Sequence, residues 1–241
     1  MQINMFGKLL KLGGAMAVGL GMLWSGGAAA EISGSVHDLS GKGYARNTGN
    51  ELCVFCHTPH WSDTSVNNVP LWNHDLTQQV FLPYSSPTLN ATPGAPDGVS
   101  KLCLSCHDGT VALDAFGNTA PGGTPGTPTP GPGNTITGIY AVGNDGVAND
   151  HPISFDYTDA LAAADGALAP PSSTNVTIGS GSRTKAGTIA TVMLYAGKVE
   201  CASCHDVHND FVDGTGLASG TNRLLKITKA SSALCLTCHT K

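Results

Sequence analysis

Cys53-Val54-Phe55-Cys56-His57, Cys103-Leu104-Ser105-Cys106-His107, Cys201-Ala202-Ser203-Cys204-His205 and Cys235-Leu236-Thr237-Cys238-His239 are four copies of one pattern, and together they use all eight cysteines of the chain. Two thiols at this spacing reach the two vinyl groups of one porphyrin and form thioethers. The His that follows offers a ring nitrogen to the iron as proximal ligand. Four Cys-x-x-Cys pairs could also build two tetrahedral zinc sites, and a single copy could be a redox dithiol. Neither chemistry asks for a His after every second cysteine, and only 9 of 241 residues are His. The pattern predicts four covalently bound haem c groups, with His57, His107, His205 and His239 as proximal ligands.

The N-terminal thirty residues read as a secretion signal. Lys8 and Lys11 precede or interrupt an apolar, glycine-rich run that ends near Leu23, and Ala28-Ala29-Ala30 forms a small-residue cleavage site before Glu31. The run is too short and too broken by glycine for a membrane anchor. The expectation is an exported mature chain, 31–241, at the cell surface or outside the cell, with the periplasm as the alternative. Exported cysteines usually pair as disulfides. Here the thioethers would take all eight, so no disulfide and no free thiol is expected.

Composition points the same way. Aromatic residues are 6% and charged residues 12%, against 31 glycines and 14 prolines. Such a chain has little with which to offset its conformational entropy. Four large, flat, apolar haems would supply the core, and without them the chain should be largely unfolded. The predicted fold is one tetrahaem cytochrome c domain over 31–241, mostly irregular and loop-rich, with a few short α-helices and a small β-hairpin. Net charge is −5, and −7 once Lys8 and Lys11 are removed. Haem propionates make it more negative, which argues against nucleic acid as a partner.

Between the motifs the sequence is mostly turn-forming. A short helix is expected to follow the second motif within 101–116. The run 119–133 is Gly, Pro and Thr in low-complexity order and reads as an exposed loop. Residues 134–175 read as mixed loop. Residues 188–200 read as a β-hairpin turning at Ala196-Gly197-Lys198, and 222–233 as a short helix.

The second axial position decides between electron transfer and catalysis. After the signal the chain has one methionine, Met193, but five further histidines: His37, His60, His74, His151 and His208. Five candidates for four positions suit bis-His ligation throughout. His60 and His208 lie three residues after His57 and His205, too close along the chain to pass round the porphyrin edge to the far face of the same iron. Each must therefore reach a different haem, which forces the haems to be near neighbours. Asp38 beside His37 either polarises the imidazole or fixes a turn. His74, among Leu71 and Trp72, suits a packed structural role and is held in reserve as a distal ligand.

Cys53-Val-Phe-Cys-His-Thr-Pro-His60, Pro70-Leu-Trp-Asn-His74, Cys103-Leu-Ser-Cys-His-Asp-Gly-Thr110, His151-Pro152 and Cys201-Ala-Ser-Cys-His-Asp-Val-His208 resemble the exported multihaem c-type cytochromes of metal-reducing bacteria, and among them the tetrahaem outer-surface cytochromes that polymerise into filaments. The resemblance runs from His37 to His239, with the Gly/Pro loops unmatched. It implies bis-His ligation at every haem, with one distal His donated by the adjoining subunit. In a hexahaem relative that role falls to the His three after the first motif, here His60. The alternative keeps His60 as ligand to a second haem of its own subunit.

The expected function is electron transfer rather than catalysis. The chain would be a filament subunit passing electrons between redox proteins and extracellular acceptors, or alternatively a monomeric periplasmic tetrahaem shuttle. An enzyme would show an open or unusually ligated haem, and all four proximal positions are His.

Overall fold

The structure is a computed structural model that describes residues 32–33, 35–42, 51–66, 69, 71–117, 134–138, 141–142, 146–179, 184–208 and 224–241. The segment read as a secretion signal, its expected cleavage site and the 119–133 run lie outside these. Regular elements are short: α1 Gly98–His107, β1 Phe155–Asp156, α2 Asp159–Asp165, β2 Asn175–Ile178, β3 Lys185–Thr188, α3 Ile189–Val192, β4 Lys198–Val199, α4 Cys201–Cys204 and α5 Ala233–Cys238, with a 3-10 turn at Ala230–Ser232 before α5. The strands form two separate antiparallel pairs, β1 with β4 and β2 with β3.

The second motif closes its helix instead of opening one. α1 ends at His107, the Asp108 N–H bonds back to the Leu104 carbonyl, and Gly109 leaves in the left-handed region at φ +75°. A Cβ on Gly109 would sit 2.7 Å from the Ile136 carbonyl oxygen. Gly109→Ala should therefore cost about 1–3 kcal/mol from backbone strain alone, seen as a lower denaturation midpoint in urea. A midpoint equal to wild type would show that this turn does not hold the end of α1.

The stretch read as one hairpin divides differently. Its turn is where expected: Ala196 and Gly197 have positive φ, and Tyr195 bridges Lys198. The arms, however, pair elsewhere. β3 joins β2, β4 joins β1, and Ile189–Val192 is a helical turn whose capping box links Thr188 and Thr191. Ile189, Val192 and Met193, spaced for one helical face, are buried together. Residues 134–175 are also not all loop, since α2 starts with Leu161 N donating to Thr158 Oγ1 and ends at left-handed Gly166. The helix expected over 222–233 lies later: Asn222 is outside the described residues, 224–229 is non-helical, and α5 begins at Ala233.

Two apolar clusters are present. The larger joins Phe155, Tyr157, Ala162, Ala169, Ile178, Ile189, Val192, Met193 and Val199, with Leu234 and Cys238 of α5 against it. The stretch 155–199 thus has a side-chain core of its own, a correction to the expectation that haems alone would supply one. Its residues were legible one by one, but their convergence depends on strand and helix pairings that the sequence does not announce. The smaller cluster is Val54, Phe55 and Phe116. Val54 and Phe55 are the two residues between the first pair of cysteines, so packing there fixes the motif's backbone.

Candidate haem-binding site

Each motif is held at its histidine by chain from far away. His57 bridges Trp72, His205 bridges Leu225, and His239 bridges Leu168. The His107 carbonyl accepts the Val142 N–H at 2.6 Å. The aspartates that follow two of these histidines shape the next turn: Asp108 Oδ1 accepts both Thr110 N and Thr110 Oγ1 at 2.8 Å, and its Oδ2 accepts Thr77 Oγ1. Asp206 Oδ1 accepts His208 N at 3.0 Å.

Consecutive motifs bring cysteines close together, and His208, just after the third motif, also reaches His57 of the first. Cys56 lies near enough to Cys103 and Cys106 for its charge to bear on both thiols. Cys103 and Cys201 are in hydrogen-bond contact, and Cys201 N donates to Ser100 Oγ of α1 at 2.9 Å. Cys204 in turn lies near Cys235 and Cys238. None of the eight cysteines is in a disulfide. Burial, with help from Cys53, pushes the Cys56 thiol up to about 11; burial and Cys204 push Cys238 to about 11 as well. Burial raises Cys106 further still. Cys201 alone is lowered, first by its hydrogen bond with Cys103.

Three of the spare histidines face three of the motif histidines. Ring centroids are 6.1 Å apart for His37 and His107, 6.1 Å for His57 and His208, and 6.3 Å for His151 and His239. Each pair takes one His from a Cys-x-x-Cys-His motif and one from outside them. Metal–imidazole bonds are about 2.0–2.1 Å and ring nitrogens lie roughly 1.2 Å from the ring centre, so two imidazoles on one iron have centroids about 6.4 Å apart. The three separations leave room for an iron between each pair; His57 and Trp72 stand at a like distance, 6.4 Å, so what singles out the three is that both rings are histidines.

The surroundings suit neutral, ligating rings. An imidazole nitrogen of His37, Nδ1, is buried with no hydrogen-bond partner among the described residues, a cost of about 1–3 kcal/mol unless some group takes it up. Burial and then His107, His208 and His205 hold the His37 pKa down to about 4, so the ring is uncharged at neutral pH. Asp38 does not pair with that nitrogen; its Oδ1 accepts Ser40 N and Ser40 Oγ, which answers for the local turn. His151 Nδ1 lies 2.9 Å from the Pro152 carbonyl. Donation there leaves Nε2 with its lone pair outward.

His74 is placed differently. It is buried, with Nδ1 at 2.8 Å from the Asp75 carbonyl and Nε2 at 3.0 Å from the Ala112 carbonyl. Burial lowers its pKa, and a neutral ring donates to only one of these oxygens; Nε2 also lies 3.5 Å from Cys106 Sγ of the second motif, so His74 packs against that motif. His60 is exposed, next to Trp61 at 85% exposure, and the exposed Leu71 is tied to this segment by Thr58 N donating to its carbonyl. Met193, the one methionine available after the signal, is in the apolar cluster. Two features escaped the sequence reading: the Cys103–Cys201 contact, and the buried pair Glu200 and Lys226 flanking the third motif. A Glu directly before the motif and a Lys in an apolar context were the only signals.

No protein-family model and no curated protein matches the chain. Among the described residues, no helix is long and apolar enough to cross a membrane.

Proposed function

We propose that this chain is a tetrahaem c-type cytochrome that carries electrons along four closely spaced bis-His haems. The observation that supports the reading is that three motif histidines, His107, His57 and His239, each have a second histidine, His37, His208 and His151, close enough to share an iron. When bound, haem c supplies a one-electron couple at each iron. The chain's part would be to hold it: the motif cysteines would bind it covalently, and the motif and spare histidines would ligate its iron. With both sides filled, neither coordination nor spin state changes on reduction, which suits transfer rather than catalysis. The nearness of cysteines from consecutive motifs, Cys103 against Cys201 among them, supports a path that links all four.

We read the path as continuing between copies of the chain in an extracellular filament that delivers electrons to external acceptors. His60, exposed beside Trp61 and Leu71, is the ligand we assign to the junction. A monomeric periplasmic shuttle is the second reading, favoured by the fact that three imidazole pairs are completed within one chain. Negative-stain microscopy of the purified protein separates the two. The haem assignment is tested first: on denaturing gels the polypeptide should keep haem peroxidase stain, and its intact mass should exceed that of residues 31–241 by four haems. A mass without them refutes the reading.

A further inference from the structure

Lys226 is a buried ammonium beside the third motif. The residue is 4% exposed. Its N–H donates to the Cys204 carbonyl at 2.8 Å, and Leu225 before it bridges His205, so two backbone contacts clamp it to the motif. Its Nζ donates to Tyr195 Oη at 3.0 Å, lies 3.5 Å from the Val192 carbonyl, and sits 4.9 Å from the centre of the Tyr195 ring. No carboxylate forms an ion pair with it among the described residues. The other buried charge nearby, Glu200, is taken up by Ser154 Oγ at 3.0 Å and by the Ser203 N–H. A buried, unpaired cation is costly to keep.

We propose that Lys226 is a positioning charge that makes the haem carried by Cys201 and Cys204 easier to reduce than it would otherwise be. This rests on the tetrahaem reading above. Reduction takes Fe(III) to Fe(II) with one electron from a chemical reductant and transfers no atom. A fixed positive charge nearby favours the state that has gained the electron. With roughly 10 Å between charges and an effective dielectric near 20, the reduction equilibrium should change by about tenfold or more, which for one electron is about 59 mV.

The test is spectroelectrochemical titration of the haem-loaded protein. Lys226→Met should lower one of the four midpoint potentials by about that amount and leave four haems attached by mass. Lys226→Arg, which keeps the charge, should restore the wild-type set. Lys198→Met, at an exposed lysine paired with Asp97, should leave all four unchanged. Four unaltered potentials in the Met variant overturn the proposal, as does an Arg variant that shifts as far as Met. Lys226→Gln, which can still donate to Tyr195 and Val192, stands in if Met fails to load haem. If neither neutral variant loads while Arg does, the lysine is structural and the proposal fails. A wild-type protein with no covalent haem refutes the functional reading itself, a distinct result.

Discussion

His208→Ala should convert one of four haem irons from six- to five-coordinate while leaving all four haems attached. The ring of His208 stands 6.1 Å from that of His57, and it belongs to the segment after the third motif rather than the first. Removing it takes away one axial side without touching any cysteine. The expected spectrum gains a high-spin component of about a quarter of the total haem. The ferrous protein should bind carbon monoxide at one site, where wild type binds little. His74→Ala provides the contrast. Its one N–H donates to the Asp75 or the Ala112 carbonyl, so its loss should leave every haem low-spin and cost about 1–3 kcal/mol of stability. Should the two variants exchange these outcomes, the ligand assignment is wrong at both positions.

Phe116→Ala should be the most damaging apolar substitution in the N-terminal half. Phe116 is fully buried, meets Phe55 edge to face with centroids 5.1 Å apart, and follows the chain that supplies the Ala112 carbonyl to His74. It therefore supports the backbone of the first motif through Phe55, and its own backbone bridges His74. Truncating a buried Phe typically costs about 3–5 kcal/mol, a large share of the 5–15 kcal/mol that domains of this size have in total. Phe116→Leu, which keeps most of the volume, should cost much less. Val80→Ala, at a side chain 94% exposed, should stay within about 0.5 kcal/mol. Urea unfolding followed by tryptophan fluorescence measures all three, and a loss below about 1 kcal/mol for the Ala variant would count against a packed cluster there.

Much of the candidate site could be read directly because its chemistry is local. Five adjacent residues define each motif, and the number of spare histidines can be counted. Which spare His meets which motif could not be read. His37 reaches His107 and His57 reaches His208 across long stretches of chain, and only the folded path decides that. The same limit explains the elements that were misplaced. The turn at 196–197 depends on its own residues and was legible. The partners of β3 and β4 come from 155–178, and no periodicity of theirs points to them. α2 was legible after all: Thr158 before it and Gly166 after it are ordinary helix boundaries, hidden only by the small alanines between them.

The backbone bridges at His57, His205 and His239, with the Val142 contact at His107, have a consequence for how such a chain can change over generations. Each motif histidine is anchored to a second strip of backbone close by, so the chain between anchors can change in length wherever it carries neither a spare histidine nor the 155–199 cluster. On the tetrahaem reading, insertions and deletions at such places leave the haem-to-haem distances unaltered. The four motifs begin at 53, 103, 201 and 235, at very unequal intervals, and the proline- and glycine-rich run 119–133 falls in the longest of them. Loop length at such places is therefore free to drift while the four motifs keep their positions.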